Sequence, residues 1–276
     1  MPSLPNIPIL FLLILTLLAC KQNDVVINFI NSGDTLIIRI ATPSGYSRET
    51  YSQGTWEYYL QHLELKAHNS KILDYKGNPI SNQSSHIAII NYDIGTKDLQ
   101  QCADAVIRLR AEHLFANGKS DEIQFEFTSG DNFKWLDYAK GMRPVVNGNS
   151  VSFRQSGASD KSYASFRKYL DVIYMYAGTI SLSHQLNKKS RSNALPIGDI
   201  ILNPGSPGHA VIVIDRAFNS SKEYIYLLAE GYTPAQSIHV LDSKNNSTSP
   251  WFKIPKTGTI NTGRYKFNDP NIVTFK

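Results

Sequence analysis

"GHAVIVIDRAFNSSKEYIYLLAEG", residues 208–231, holds two apolar runs rich in Val, Ile and Tyr on either side of a short polar link. The link, "AFNSSK" (217–222), is too short for a crossover helix, so the runs form an antiparallel hairpin. "IGDIIL" (197–202) before it and "SIHVL" (237–241) after it are further short strands between turns. From Pro196 onward the chain therefore predicts a mostly antiparallel sheet.

Helical periodicity dominates upstream. In "DLQQCADAVIRLRAEHL" (98–114), Asp98 is placed to cap a helix and Gln101 to complete a capping box, which puts Cys102 about one turn inside. Leu99, Ala103 and Val106 share one side, and Cys102, Val106, Leu109 and His113 continue a stripe. "SYASFRKYLDVIYMYAGTISLSHQL" (162–186) reads as two helical pieces broken at Gly178, with Phe166, Leu170, Ile173 and Tyr174 facing a core. Its other tyrosines, Tyr163, Tyr169 and Tyr176, either pack or line a groove. "TWEYYLQHLEL" (55–65) is a third helix. Strands are expected in "DVVINFI" (24–30) and "DTLIIRIATP" (34–43), joined by a turn at Asn31–Asp34. Others are expected in "KILDYKGNPI" (71–80), "SHIAIINYDI" (85–94) and "DEIQFEFTSG" (121–130), and in a hairpin over 141–153 turning at Asn147-Gly148. "SPWFKIP" and "TGRYKF" in the tail line an edge or return a last strand. The fold class is α+β, helices packed on a mostly antiparallel sheet.

An apolar content of 42% supports a substantial core, and no low-complexity tract points to disorder. The net charge of +5 comes from 28 basic and 23 acidic residues scattered along the chain, a balance suited to an anionic envelope surface or an acidic ligand. No nucleic-acid module is evident, and no cofactor motif or convincing metal-ligand spacing is present.

Residues 7–19, "IPILFLLILTLLA", are a short apolar run, and "LLAC" (17–20) resembles the cleavage box of a bacterial lipoprotein signal. That resemblance implies a signal peptide over 1–20, a lipid on Cys20, a bilayer as partner, and one mature domain over 21–276. The absence of Asp at position 21 resembles outer-membrane sorting, with the protein facing the periplasm or the exterior. If Cys20 carries lipid, Cys102 has no disulfide partner in an exported chain, and it is either inert and buried or kept for chemistry.

A cysteine nucleophile needs a basic partner and donors for the oxyanion it creates. A helix start favours the thiolate, and Gln101, beside Gln100, is a candidate side-chain donor. His209, opening the strand "HAVIVID", is the preferred base. With Ala217 opposite Glu223, His209 falls beside Gly231, and a shift of one residue sets it beside Glu230, whose carboxylate would orient the imidazole. Asp215 lies roughly 20 Å down the same strand and is rejected. His239 or Gln236 could offer another polar contact. His113 is too far along the helix, and His62, His68, His86 and His184 lie in weaker settings.

The helix carrying "QQCADA" followed by "GDIIL…GHAVIVID…YIYLLAE" resembles the papain-like superfamily, especially its cell-wall peptidase branch. The resemblance covers 98–241 and implies a papain-like core with Cys102 as nucleophile, His209 as base and Glu230 as orienter. Gln101 and Ala103 flank the cysteine where that branch usually has Asp, Ser and Gly. "DLQQCADAVIRLRAE", "PGHAVIVID" and "TPAQSIHVL" together resemble, over nearly the whole mature chain, an uncharacterised family of bacterial envelope lipoproteins, domain of unknown function family 4846. Three functions follow as expectations. One is a cysteine peptidase or amidase acting on amide bonds, with cell-wall peptide as substrate class. The others are an inactive scaffold binding peptide or glycan, and an envelope structural protein with Cys102 in its core. Oligomeric state is not readable.

Overall fold

The computed structural model describes residues 34–192, 194–245 and 247–275, so the expectations for Cys20 and for a strand at 24–30 lie outside the described residues. In chain order the first elements are α1 (Leu36–Arg39), β1 (Ser47–Arg48), α2 (Trp56–Gln61), β2 (His86–Ile89) and α3 (Cys102–Ala116). Next come β3 (Gln124–Glu126), β4 (Asn132–Lys134), α4 (Trp135–Ala139), β5 (Met142–Asn147), β6 (Ser150–Gln155), α5 (Tyr163–Tyr176) and α6 (Thr179–Gln185). The C-terminal part holds β7 (Asn187–Lys189), β8 (Ile200–Asn203), β9 (His209–Phe218), β10 (Tyr224–Glu230), β11 (His239–Leu241), β12 (Ile260–Asn261), β13 (Lys266–Phe267) and β14 (Asn271–Thr274). The fold is α+β.

Eight strands form one sheet in the order β2-β11-β10-β9-β8-β14-β7, with β1 added on β9, and every pairing in it is antiparallel. β9 lies at its centre, which explains its continuous apolar run: both faces are covered. Ala210, Ile212 and Ile214 face the larger core with α3 and α5, while Val211 and Val213 face a second core with Tyr226, Phe252 and Phe267. Each of these valines and isoleucines contributes about 1.5–3 kcal/mol by leaving water.

Four local expectations change. "LIIR" is a single helical turn, not a strand; its Leu36 is fully buried, and Ile40 N–H bonds back to the Leu36 carbonyl. Residues 71–80 form a turn braced by single bridges, Leu73 to Pro79 and Asp74 to Gln236. In the β5–β6 hairpin Asn147 pairs with Ser150, so the two turn residues are Gly148 and Asn149, one step later than expected. The β9–β10 hairpin pairs Ala217 with Ile225 instead of Glu223, and a bulge between Leu227 and Leu228 shifts the register again, to Ala229 opposite Ile212.

Helix α3 begins at Cys102, four residues after Asp98. Gln101 is the N-cap, and its backbone N–H donates to Asp104 Oδ2 at 3.0 Å. Asp98 is used otherwise: its Oδ1 accepts from the Ala235 amide at 2.7 Å and from Gln101 Nε2 at 3.1 Å, tying the approach to α3 onto the segment after β10. The helix is buried almost all round instead of along one stripe, and it includes the fully buried Arg108, which donates to Glu112 at 2.5 Å. α5 and α6 break at Gly178 as the sequence predicts, with Phe166, Leu170, Ile173 and Tyr174 in the core.

Candidate functional site

The start of α3 overhangs the end of β10. A Cβ on Gly231 would meet the Gln101 carbonyl oxygen at 2.5 Å, so only glycine permits this approach. Cys102 thereby becomes the first helical residue, where the amides have no carbonyl partner within the helix. Its thiol is half-buried.

His209 opens β9 on the face shared with Val211 and Val213, and Glu230 ends β10 on the same face as Leu228. Continuing the bulged register, Glu230 sits diagonally across from His209 instead of beside it. The diagonal is short enough for His209 Nε2 to donate to Glu230 Oε2 at 2.8 Å. The Cys102 thiol is near enough to act on the same imidazole. Nε2 is taken by Glu230, so a proton exchanged with the sulfur would use Nδ1. The structure thus pairs His209 with Glu230 and sets Cys102 in their neighbourhood.

Electrostatics follow from burial and pairing. Burial pulls the His209 imidazole down, but the Cys102 contact and the Glu230 carboxylate outweigh it and raise it to about 9. Burial pushes Glu230 up, yet His209 and His239 beside it hold it at about 2. His239 Nδ1 lies 2.9 Å from the Ser237 carbonyl, so it donates there, and its Nε2 lies 2.9 Å from Arg264 Nη1, which can only donate. Its Nε2 therefore accepts from Arg264. Glu230 Oε1 has Arg264 Nε at 3.4 Å and His239 Nε2 at 3.5 Å. Both distances are too long for a good hydrogen bond, and Oε1 is held by charge. Tyr265, Tyr232 and Phe267 surround the His209 ring at centroid distances of 4.7, 4.9 and 5.6 Å.

Gln101 adjoins the thiol, but its side chain is engaged: Thr233 Oγ1 donates to its Oε1 at 3.0 Å and its Nε2 donates to Asp98. Asp215 lies apart, bonded to Arg48 at 2.6 Å and Gln61 at 2.8 Å. His113 is buried beside Trp56 and Tyr59, and burial pulls it down to about 4. His62 stacks on Tyr58, His68 and His184 are exposed, and His86 bonds the Ser70 carbonyl at 3.2 Å and meets the His239 ring edge-on. Gln236 is buried and bridges to Asp74. Arg264, Tyr232 and Tyr265 carry no sequence signal of their own, because they come from the irregular segments after β10 and β12, and Phe267 comes from the two-residue strand β13.

A cavity of about 360 Å³ opens at Cys102 between the first turn of α3, the Gly178–Ile180 start of α6 and the Gly205–Gly208 loop. Its walls are mostly small side chains and backbone. Close packing sets them: a Cβ on Gly208 would meet Thr179 Oγ1 at 2.3 Å. A larger cavity, about 420 Å³, beside Arg110 and Phe275 is lined by no cysteine, histidine or hydroxyl side chain.

Fold and site together define an α+β protein with a cysteine at a helix start and a histidine–carboxylate pair at adjacent strand ends. Residues 36–273 match the family model described as Domain of unknown function (4846), and the chain belongs to that family. No curated protein and no solved structure matches it.

Proposed function

We propose that the protein is a papain-like cysteine hydrolase of amide bonds, with cell-wall peptide as its substrate class. The observation that carries this reading is the buried His209–Glu230 hydrogen bond, with Cys102 at the start of α3 acting on the same imidazole. In the proposed reaction the Cys102 sulfur attacks the acyl carbon while its proton resides on His209 Nδ1. The tetrahedral oxyanion is met by the unpaired amides at the start of α3, with the remaining hydrogen of Gln101 Nε2 as a second donor. Collapse expels the amine, which takes the proton from His209 and leaves a thioester. Water, deprotonated by His209, then releases the acid and restores the thiol. Glu230 accepts from Nε2 throughout and stabilises the imidazolium. A cavity walled by backbone and small side chains suits an extended peptide. A lipid on Cys20 would hold the domain at the outer membrane, close to such a substrate.

Purified mature protein is expected to cleave peptidoglycan peptides, and Cys102→Ala to lose that turnover while keeping its circular-dichroism spectrum. A folded Cys102→Ala variant cleaving at the wild-type rate would overturn the assignment. For the anchor, Cys20→Ser should move the protein from the membrane to the soluble fraction; unchanged fractionation counts against lipidation.

A further inference from the structure

The cavity at Cys102 continues past Thr128. That exposed residue lines it and also lines a second cavity of about 410 Å³ beneath the tip of the β5–β6 hairpin. Tyr176 lines the second cavity, and the next two residues of the chain, Ala177 and Gly178, line the first. The Thr128 amide donates to the Tyr176 carbonyl at 2.7 Å, which ties the link between β3 and β4 to the end of α5 where the two cavities adjoin.

The second cavity differs from the others in chemistry. Val146 and Val151 pair directly across the hairpin, so both lie on one of its faces, and with Phe127 and Tyr176 they wall the cavity. The Phe127 and Tyr176 rings meet at a centroid distance of 5.2 Å. Val145 is on the opposite face of the hairpin, 37% exposed, and lines neither cavity. No charged side chain lines the second cavity, whereas those beside Arg110, Arg39 and Asp93 are each lined by at least two. Such a lining gains from burying hydrocarbon and offers a charged group nothing to offset its lost hydration.

We propose that the two cavities form one substrate groove, whose hairpin end takes an uncharged, apolar side chain of the substrate while the acyl carbon lies at the Cys102 sulfur. The inference deepens the hydrolase reading, on which it rests for the position of the acyl carbon, and adds the class of side chain that the peptide carries.

Alkyl methanethiosulfonates test it without a known substrate. Each reagent transfers its alkylthio group to the Cys102 sulfur as a mixed disulfide and releases methanesulfinate, and mass spectrometry follows the rate. The hexyl reagent should be favoured over the methyl one by at least about tenfold more than with free cysteine, the gain from burying about two methylenes. Reagents bearing a sulfonate or a trimethylammonium should show no such gain. Val146→Asp, on the lining face, should remove the hexyl preference, while Val145→Asp, on the outer face of the same hairpin, should keep it. Val151→Thr, close in shape, should remove part of it and decides the matter if the aspartate at 146 unfolds the hairpin; an unchanged preference there overturns the proposal. So does a hexyl preference no larger than that of free cysteine, an equal loss in the two aspartate variants, or an equal gain with the charged reagents. A methyl reagent no faster at Cys102 than at free cysteine counts against the hydrolase reading alone, since the ratios still report on the groove.

Discussion

His209 depends on Glu230 for both its orientation and its charge. The carboxylate is fully buried and accepts from Nε2 at 2.8 Å, which fixes the ring and leaves the proton exchange to Nδ1. Hydrogen bonds and charge from His209 and His239 keep the carboxylate ionised despite burial, and Arg264 Nε lies 3.4 Å from its Oε1. Glu230→Gln preserves shape but removes the charge, so the His209 imidazole should fall from about 9 toward its ordinary 6.5. Ring-proton chemical shifts of His209 against pH would read that change directly. Turnover should drop by about 10²–10⁴-fold, the range that general acid–base catalysis contributes. A variant whose imidazole still titrates near the wild-type value would show that Cys102, not Glu230, sets it.

Element geometry decides whether these side chains meet. Gly231 lets α3 seat over the strand ends, and an added Cβ must displace the Gln101 carbonyl, a backbone atom that cannot swing away. Gly231→Ala is expected to cost about 1–3 kcal/mol, as overpacking does, and to slow Cys102 alkylation as the helix start lifts. Thermal melts and iodoacetamide rates check both; an unchanged melt would mean the contact yields easily. The hairpin itself was legible, because β9 and β10 are long apolar runs with a link too short for a helix. Its register was not legible: the hairpin starts with Ala217 opposite Ile225, and the bulge between Leu227 and Leu228, which no Gly or Pro announces, moves Glu230 from a position opposite Ile212 to one opposite Val211, diagonal to His209 on the same face. Asp98 misled for a related reason. It has the chemistry of an N-cap, but its carboxylate bonds the Ala235 amide, a tertiary partner that local spacing does not reveal. Arg264 was illegible because only the return of the chain after β12 carries it to Glu230. "LIIR" shows the opposite failure, since four residues of β-favouring composition bury Leu36 as a single helical turn.

Across the whole molecule, the buried titrating groups set how stability responds to pH. Glu230 is lowered from 4.5 to about 2, so its contribution is present above 4.5 and is lost as pH falls toward 2. His113 is lowered from 6.5 to about 4, so the folded state gains as pH rises from 4 to 6.5. Asp104 is raised from 3.8 to about 8 and opposes that gain, since the unfolded chain releases its proton first over that range. His209 is raised from 6.5 to about 9, and its contribution, complete below 6.5, disappears as pH climbs through 9. His113 and Asp104 offset each other between 4 and 6.5, while above 6.5 Asp104 and His209 act in the same direction. The melting temperature should therefore be nearly level from about pH 4.5 to 6.5 and fall steeply toward 9. Glu230→Gln, by releasing the His209 proton earlier, should flatten the fall above pH 8, and Asp104→Asn the part below it. Calorimetric scans of the three proteins separate the two contributions, and an alkaline decline of the same steepness in both variants would assign it to other groups.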